Sequence, residues 1–295
     1  LEKYEDQDSN KACITAFINP CNPNYEKIKG SKFNSYFVEN ILETSNRYKN
    51  HNKVLDSHLK GYRNKIFIPE FHGREHLRIY PWIEGLKSNN KLLKLGFERE
   101  YWSFNTKHDG INKNFRASYD FDNEIELKAQ FKIISNGLIK FESMYNRSAD
   151  VFVAPDGPFN QKLENALFAG GVKFIGTPKM QKEPIGNGQY KKRFNYLGKR
   201  RNSKLLNLTR NVIFEPAKEG KDWVDQALTD IKNCFTLRKP AIISTHSANY
   251  ISQLNQRKGS LGLKKLDELL RRIVMEWPDI IFLTSSDLGE LILEK

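Results

Sequence analysis

With 295 residues, 39% hydrophobic and 28% charged, the chain has the length and balance of one large α/β domain or two small ones. Such a chain can bury a core without disulfide staples, and no apolar run approaches the ~20 residues that span a bilayer. A net charge of +13 leaves room for a polyanionic partner: nucleic acid, an anionic membrane face or an acidic polysaccharide.

Residues 1–10 are polar and acidic, unlike a signal peptide, although a leader removed ahead of Leu1 is compatible with them. Three cysteines, Cys13, Cys21 and Cys234, give neither a metal spacing nor an even disulfide framework, which points to a cytoplasmic protein. The first strand is expected over Ala12–Ile18, followed by a helical stretch at Lys32–Tyr48. A strand at Lys65–Pro69 leads through Glu70-Phe71-His72-Gly73-Arg74-Glu75-His76 into a helix over Arg74–Leu86. The long pattern Asn123–Met144, capped by the short polar residues from Asp120 to Asn123, precedes a strand at Val151–Ala154 and the turn Pro155-Asp156-Gly157. A helix over Asn160–Ala169 ends on Gly170 and Gly171 before the strand Val172–Ile175. Residues from about Thr177 to Leu208 read as a basic excursion, densest at Lys191, Lys192, Arg193, Lys199, Arg200, Arg201 and Lys204. Tyr190, Phe194 and Tyr196 lie among these charges, so a stacking surface competes there with a plain solvated loop, the reading that is preferred. Strands at Val212–Glu215, Ala241–Ser244 and Ile280–Leu283 then alternate with helices at Trp223–Cys234, Leu263–Glu276 and Leu288–Leu293. This rhythm predicts an α/β fold with a mainly parallel sheet, open or closed into a barrel.

In parallel α/β folds the active site lies at the carboxyl ends of the strands. Five strand ends carry His, Asp or Glu: His72 and His76, Asp156, Glu215, His246 and Asp287. If a helix begins near His72, residues four apart share one face, and both imidazoles can reach one cation. Gly73 stands where a zinc protease of the HExxH type has its glutamate, so that chemistry is excluded. His246 follows another strand, and an imidazole is the usual general acid or base. His51, His58 and His108 fall in polar sequence and are expected at the surface.

The segments FIPEFHGREHL, FVAPDGPFN, IFEPAKEGKDWVDQAL, KPAIISTHSANYIS and FLTSSDLGELI together resemble a bacterial subgroup of the polysaccharide deacetylase (NodB-homology) family. The likeness runs over nearly the whole chain, 1–295, read as one domain. It implies a distorted (β/α)7 barrel that holds one divalent metal through Asp-His-His and hydrolyses an N- or O-acetyl group on a polysaccharide or amino sugar. On that resemblance His72 and His76 are metal ligands and His246 is the general acid. Glu215 and Asp222 stand where the family's carboxylate orients that acid, and Trp223 stands where its tryptophan lines the sugar groove. Asp156, Arg74 and Asn249 are the further candidate substrate contacts. The metal is expected to be zinc, with nickel or cobalt also suited to histidine-rich sites.

The sequence departs from that pattern in two places. The family's Asp-Asp pair, which gives the base and the third ligand, has no counterpart here. The subgroup carries its Asp-Asp-Trp upstream of the region matching Leu1, so either the first strand of the barrel is missing from this chain or the protein has lost its base, and in both cases the chain by itself should be nearly inactive. Val153 stands in place of the arginine that holds the base, and Asp156 in place of a tyrosine. A non-catalytic glycan-binding relative is therefore the alternative. Glycosidic cleavage between Asp156 and Glu215 or Asp287 ranks behind it, and a nucleic-acid role, resting on charge alone, ranks last.

Overall fold

The computed structural model describes residues 1–48, 53–104, 113–251 and 256–294, so His51 and His108 lie outside the described residues. Five strands form one parallel sheet: β1 (Ile14–Ile18), β4 (Phe67–Phe71), β5 (Val151–Val153), β6 (Phe174–Thr177) and β9 (Leu206–Thr209), side by side in that order. Between β1 and β4 the chain makes the antiparallel pair β2 (Cys21–Pro23) and β3 (Val38–Asn40) and the helices α1 (Tyr25–Gly30), α2 (Ile41–Asn46) and α3 (Val54–Arg63). After β4 come α4 (Ile79–Lys87), α5 (Lys91–Glu98) and α6 (Glu124–Tyr145). Helix α6 starts where Asn123 accepts the backbone N–H groups of Ile125 and Glu126, and stops at Asn146, whose φ of 53° breaks the helical run.

The middle of the sheet is buried on both faces, which is why β5 and β6 read as apolar runs. Phe71, Phe152 and Ile175 point to one side and meet α6 and α7 (Glu164–Ala169) through Ile134, Leu138 and Leu167. Val151, Phe174, Leu206 and Leu208 point to the other side, against Leu288, Ile292 and Leu293 of α10 (Ser285–Leu293). Gly289 makes that approach possible, because a Cβ there would sit 2.4 Å from the Phe174 ring.

The (β/α)7 barrel expected from the resemblance is not closed. Strand β10 (Val212–Ile213) begins two residues after β9 but pairs with β11 (Ile243–Ser244) in a separate two-stranded parallel sheet. Helices α8 (Trp223–Thr236) and α9 (Gln256–Glu276) cover that pair. The segment Ile280–Leu283, expected as a strand, forms none: Gln7 N–H donates to the Ile280 carbonyl, and Phe282 N–H to the Asp6 carboxylate.

The basic excursion is also ordered differently from a loop. It contains the antiparallel hairpin β7 (Met180–Gly186) and β8 (Gln189–Phe194), followed by the main-sheet strand β9. No helix among the described residues is long and apolar enough to cross a membrane.

Candidate active site

The main sheet ends on a loop that folds back on itself. His72 N–H donates to the Ile18 carbonyl at 2.9 Å, continuing the β1–β4 ladder by one residue. Asn19, the first residue beyond β1, then gives its side-chain amide to the carbonyls of His72 (2.7 Å) and Gly73 (3.1 Å). Gly73 has φ of +87°, and a Cβ there would lie 2.8 Å from the Tyr119 hydroxyl, so a glycine is required by both conformation and space. The helix expected to begin at Arg74 begins instead at Ile79. His72 and His76 thus meet across a turn rather than along a helix face, with ring centroids 5.3 Å apart.

Each imidazole is set up as a neutral donor. His72 Nδ1 lies 2.8 Å from the Val153 carbonyl; a carbonyl only accepts, so Nδ1 carries the proton and Nε2 keeps its lone pair. Burial, helped by the neighbouring His76, pushes the His72 imidazole down to about 4. Burial also lowers His76, whose Nδ1 is enclosed with no hydrogen-bond partner and whose ring stacks on Trp102 at 6.0 Å. A buried nitrogen without a partner on one ring, beside a second neutral imidazole, fits two ligands of a metal site. Among the described residues no third His, Cys, Asp or Glu joins them in a metal-binding cluster.

Beside His76 opens a cavity of about 290 Å³, lined by Phe17, Asn19, Asn22, Glu75, His76 and Trp102. Asp156 flanks His76 at the end of β5 and acts on it by charge, opposing the effect of burial, while its own carboxylate accepts from the Asn114 amide. Arg74, a candidate substrate contact, is not free for one. Its Nε bonds the buried Glu75 at 2.6 Å, its Nη1 reaches Asn136, and its guanidinium lies over Tyr36.

The second half of the site stands on the small sheet. His246 follows β11 and bonds through Nδ1 to Glu215, which follows β10. The Glu215 carboxylate is buried, and its other oxygen accepts the Asn249 amide at 3.1 Å. Burial acts to raise this carboxyl, but the bonds from Asn249 and His246 outweigh it and hold it below the ordinary glutamate value. The His246 ring is 70% exposed, so Nε2 faces solvent while Nδ1 is held. An oriented imidazole backed by a buried carboxylate can deliver or remove a proton, and the carboxylate favours the charged form that results.

Gly262 of α9 supports this arrangement from below. A Cβ there would come within 1.9 Å of the Asn249 carbonyl oxygen, a contact that only a backbone shift can relieve. Gly262→Ala is expected to displace Asn249 and loosen its bond to Glu215, at about 1–3 kcal/mol of stability. Thermal melting together with the His246 ring resonances checks this: an unshifted resonance and an unchanged melt would remove Gly262 from the positioning of the site.

Two candidates occupy other roles. Asp222 caps α8, accepting from Val224 and Asp225 N–H, because a short polar side chain at that position satisfies the helix end; Glu215, and not Asp222, holds His246. Trp223 packs in the core of the small sheet with Phe214 and Leu228, its indole N–H given to the Lys218 carbonyl, and Lys221 covers its ring. It lines no groove.

Two site residues were not foreseen. Trp102 walls the cavity, and no local signal marks it. Arg210 follows β9, and its position after a buried strand was the available signal. Its guanidinium is largely buried, bonds Ser244 Oγ at 3.1 Å, and has no carboxylate within ion-pair reach among the described residues. Its charge and that of His246 both bear on His72, which places the two halves of the rim in one electrostatic neighbourhood.

No family model and no curated protein sequence matches the chain. Among solved structures the fold is similar to the alpha-amylase AmyC from Thermotoga maritima, with a TM-score of 0.41 and 11% identity over 85% of this chain and 53% of that one. The chain thus spans about half the length of that structure.

Proposed function

We propose that the protein is a metal-dependent hydrolase that removes N- or O-acetyl groups from a polysaccharide or amino sugar. The observation that carries this reading is the pairing of two neutral, convergent imidazoles, His72 and His76, with a separately oriented third, His246, at the carboxyl ends of the strands. His72 and His76 would hold a divalent ion such as zinc, which when bound would polarise the acetyl carbonyl and make its water more acidic. The remaining work falls to the protein's own groups. His246 Nε2 gives its proton to the departing sugar amine or alkoxide, and Glu215 keeps the ring aimed and stabilises its charged form. Asn249 fixes Glu215, Trp102 and Phe17 wall one side of the cavity, and Arg210 supplies positive charge near the reacting acyl group.

A second reading, a non-catalytic glycan-binding relative, is favoured by one observation. The strand next to His72 ends on Asn19, whose amide is spent on backbone carbonyls, where a base would need a carboxylate. Metal content after dialysis against zinc tests the first half of the proposal. The chain should retain one divalent ion, and the His72→Ala/His76→Ala double variant should retain none. Equal metal in both would sink the ligand assignment. Acetate release from acetylated amino-sugar oligomers, abolished by chelator, separates the two readings; tight binding of the oligomer with no release at any metal loading would establish the binder.

A further inference from the structure

The β7–β8 hairpin rises from the same end of the main sheet as His72. It leaves β6 at Pro178 and touches the Asp156-Gly157 turn, where Gln181 donates to the Gly157 carbonyl at 3.3 Å. Cross-strand neighbours along its exposed face are Met180 with Phe194 and Lys182 with Lys192; Pro184 with Tyr190 completes the row. Two lysines directly opposite each other repel, and nothing relieves them internally. Among the described residues, Lys179, Lys182, Lys191, Lys192, Lys199 and Lys204 have no carboxylate within ion-pair distance. The one glutamate on the hairpin, Glu183, is turned inward to the Gln161 N–H.

The aromatic side chains on and beside this hairpin are exposed, Phe194 by 51% and Tyr196 by 55%. Each has an ammonium close by: Lys179 lies 6.0 Å from the Phe194 ring centre, Lys182 5.7 Å from Tyr190, and Lys199 5.7 Å from Tyr196. The surface is held rigid from behind. Arg193 and Arg201 both bond the buried Glu164, and Asn195 bonds Gln181. A rigid row of rings, each with its own cation, suits a polymer whose units carry an apolar ring face and an anion on the same ring.

We propose that the β7–β8 hairpin is a binding strip for an acidic polysaccharide of the uronic-acid type, whose sugar faces stack on Phe194, Tyr196 and Tyr190 while its carboxylates meet Lys182 and Lys192, which share that face. The ring-to-ammonium distances favour this polymer over a nucleic acid, in which a sugar separates each base from its phosphate. Arg210, whose N–H donates to the Thr177 carbonyl at the root of the hairpin, continues the same charge toward the cleft. The inference rests on the glycan reading given above and names its substrate class.

Affinity electrophoresis of the full chain tests it, with polygalacturonate, neutral dextran and oligothymidylate as probes. Polygalacturonate should retard the protein, increasingly so at low salt, and dextran should not. Lys182→Gln/Lys192→Gln should bind roughly tenfold more weakly, and Phe194→Ala should weaken binding with its salt dependence retained. Unchanged melting temperatures keep these exposed substitutions interpretable. Equal retardation by dextran, or a double variant that binds as well as the parent, overturns the strip. Tighter binding of oligothymidylate through the same residues overturns it in favour of a nucleic-acid surface. His72→Ala/His76→Ala should leave polygalacturonate binding intact, so failure of the hydrolase reading and failure of this one are distinguishable.

Discussion

Replacing Glu164 with alanine is expected to destabilise the fold by about 3–5 kcal/mol, because it strands two guanidinium groups in the interior. Glu164 is 2% exposed; one oxygen takes Arg193 and Arg201, and the other takes Ser203 at 2.7 Å. Arg201 in turn bonds Asn195 and Asn207, and Asn207 bonds Thr177 and Thr209, so the loss spreads through a buried network joining hairpin, β6 and β9. The urea midpoint should fall at an unchanged slope, with faster amide exchange in β7 and β8. A loss below about 1 kcal/mol, the scale of an exposed ion pair, would show that the network is not the anchor of the hairpin.

In any preparation that releases acetate, His246→Ala is expected to lower the rate by about 10²–10⁴-fold, the usual contribution of a general acid. Metal content and melting temperature should not move, because the ring is mostly exposed and far from filling a core site. Glu215→Gln should lose a large part of the same rate, since an amide can hold Nδ1 but cannot stabilise the charged ring. The comparison of rate and metal content is what separates an acid from a ligand. A fall of less than tenfold in a protein that releases acetate would strip His246 of the role.

Much of this was legible in the chain, and the exceptions have identifiable causes. The strands at β1, β4, β5 and β6 announced themselves as apolar runs, each within two residues or so of its place, and at β5 and β6 this is because both faces are buried. Strand β9 did not, since Asn207 and Thr209 interrupt its pattern. Both are buried, and their polar atoms are spent inside the Glu164 network, an arrangement that only the tertiary structure reveals. The hairpin carried a signal that went unused: Asn187-Gly188, with φ of 52° and 69°, is a two-residue turn of the kind that closes antiparallel strands. Its lysines masked the alternation. Strand-end logic found Glu215 and His246, whose partnership needs only that β10 and β11 run side by side. The helical premise for His72 and His76 failed at Gly73, yet the turn that replaced it brought the rings together all the same.

Because β9 and β10 are one extended run interrupted only at Arg210 and Asn211, the two halves of the candidate site are joined at a two-residue corner. The imidazole pair rides on one sheet and the Glu215–His246 couple on the other. The corner is braced on both sides: Arg210 N–H donates to the Thr177 carbonyl at 3.3 Å and its guanidinium to Ser244 Oγ at 3.1 Å, while Asn211 accepts from Ile242 N–H at 2.7 Å and gives its amide to the Pro240 carbonyl at 2.8 Å. The angle that these two residues set between the sheets fixes the gap between His72 and His246, so a change at Arg210 or Asn211 would alter that gap while the ladder bonds within each sheet stay made.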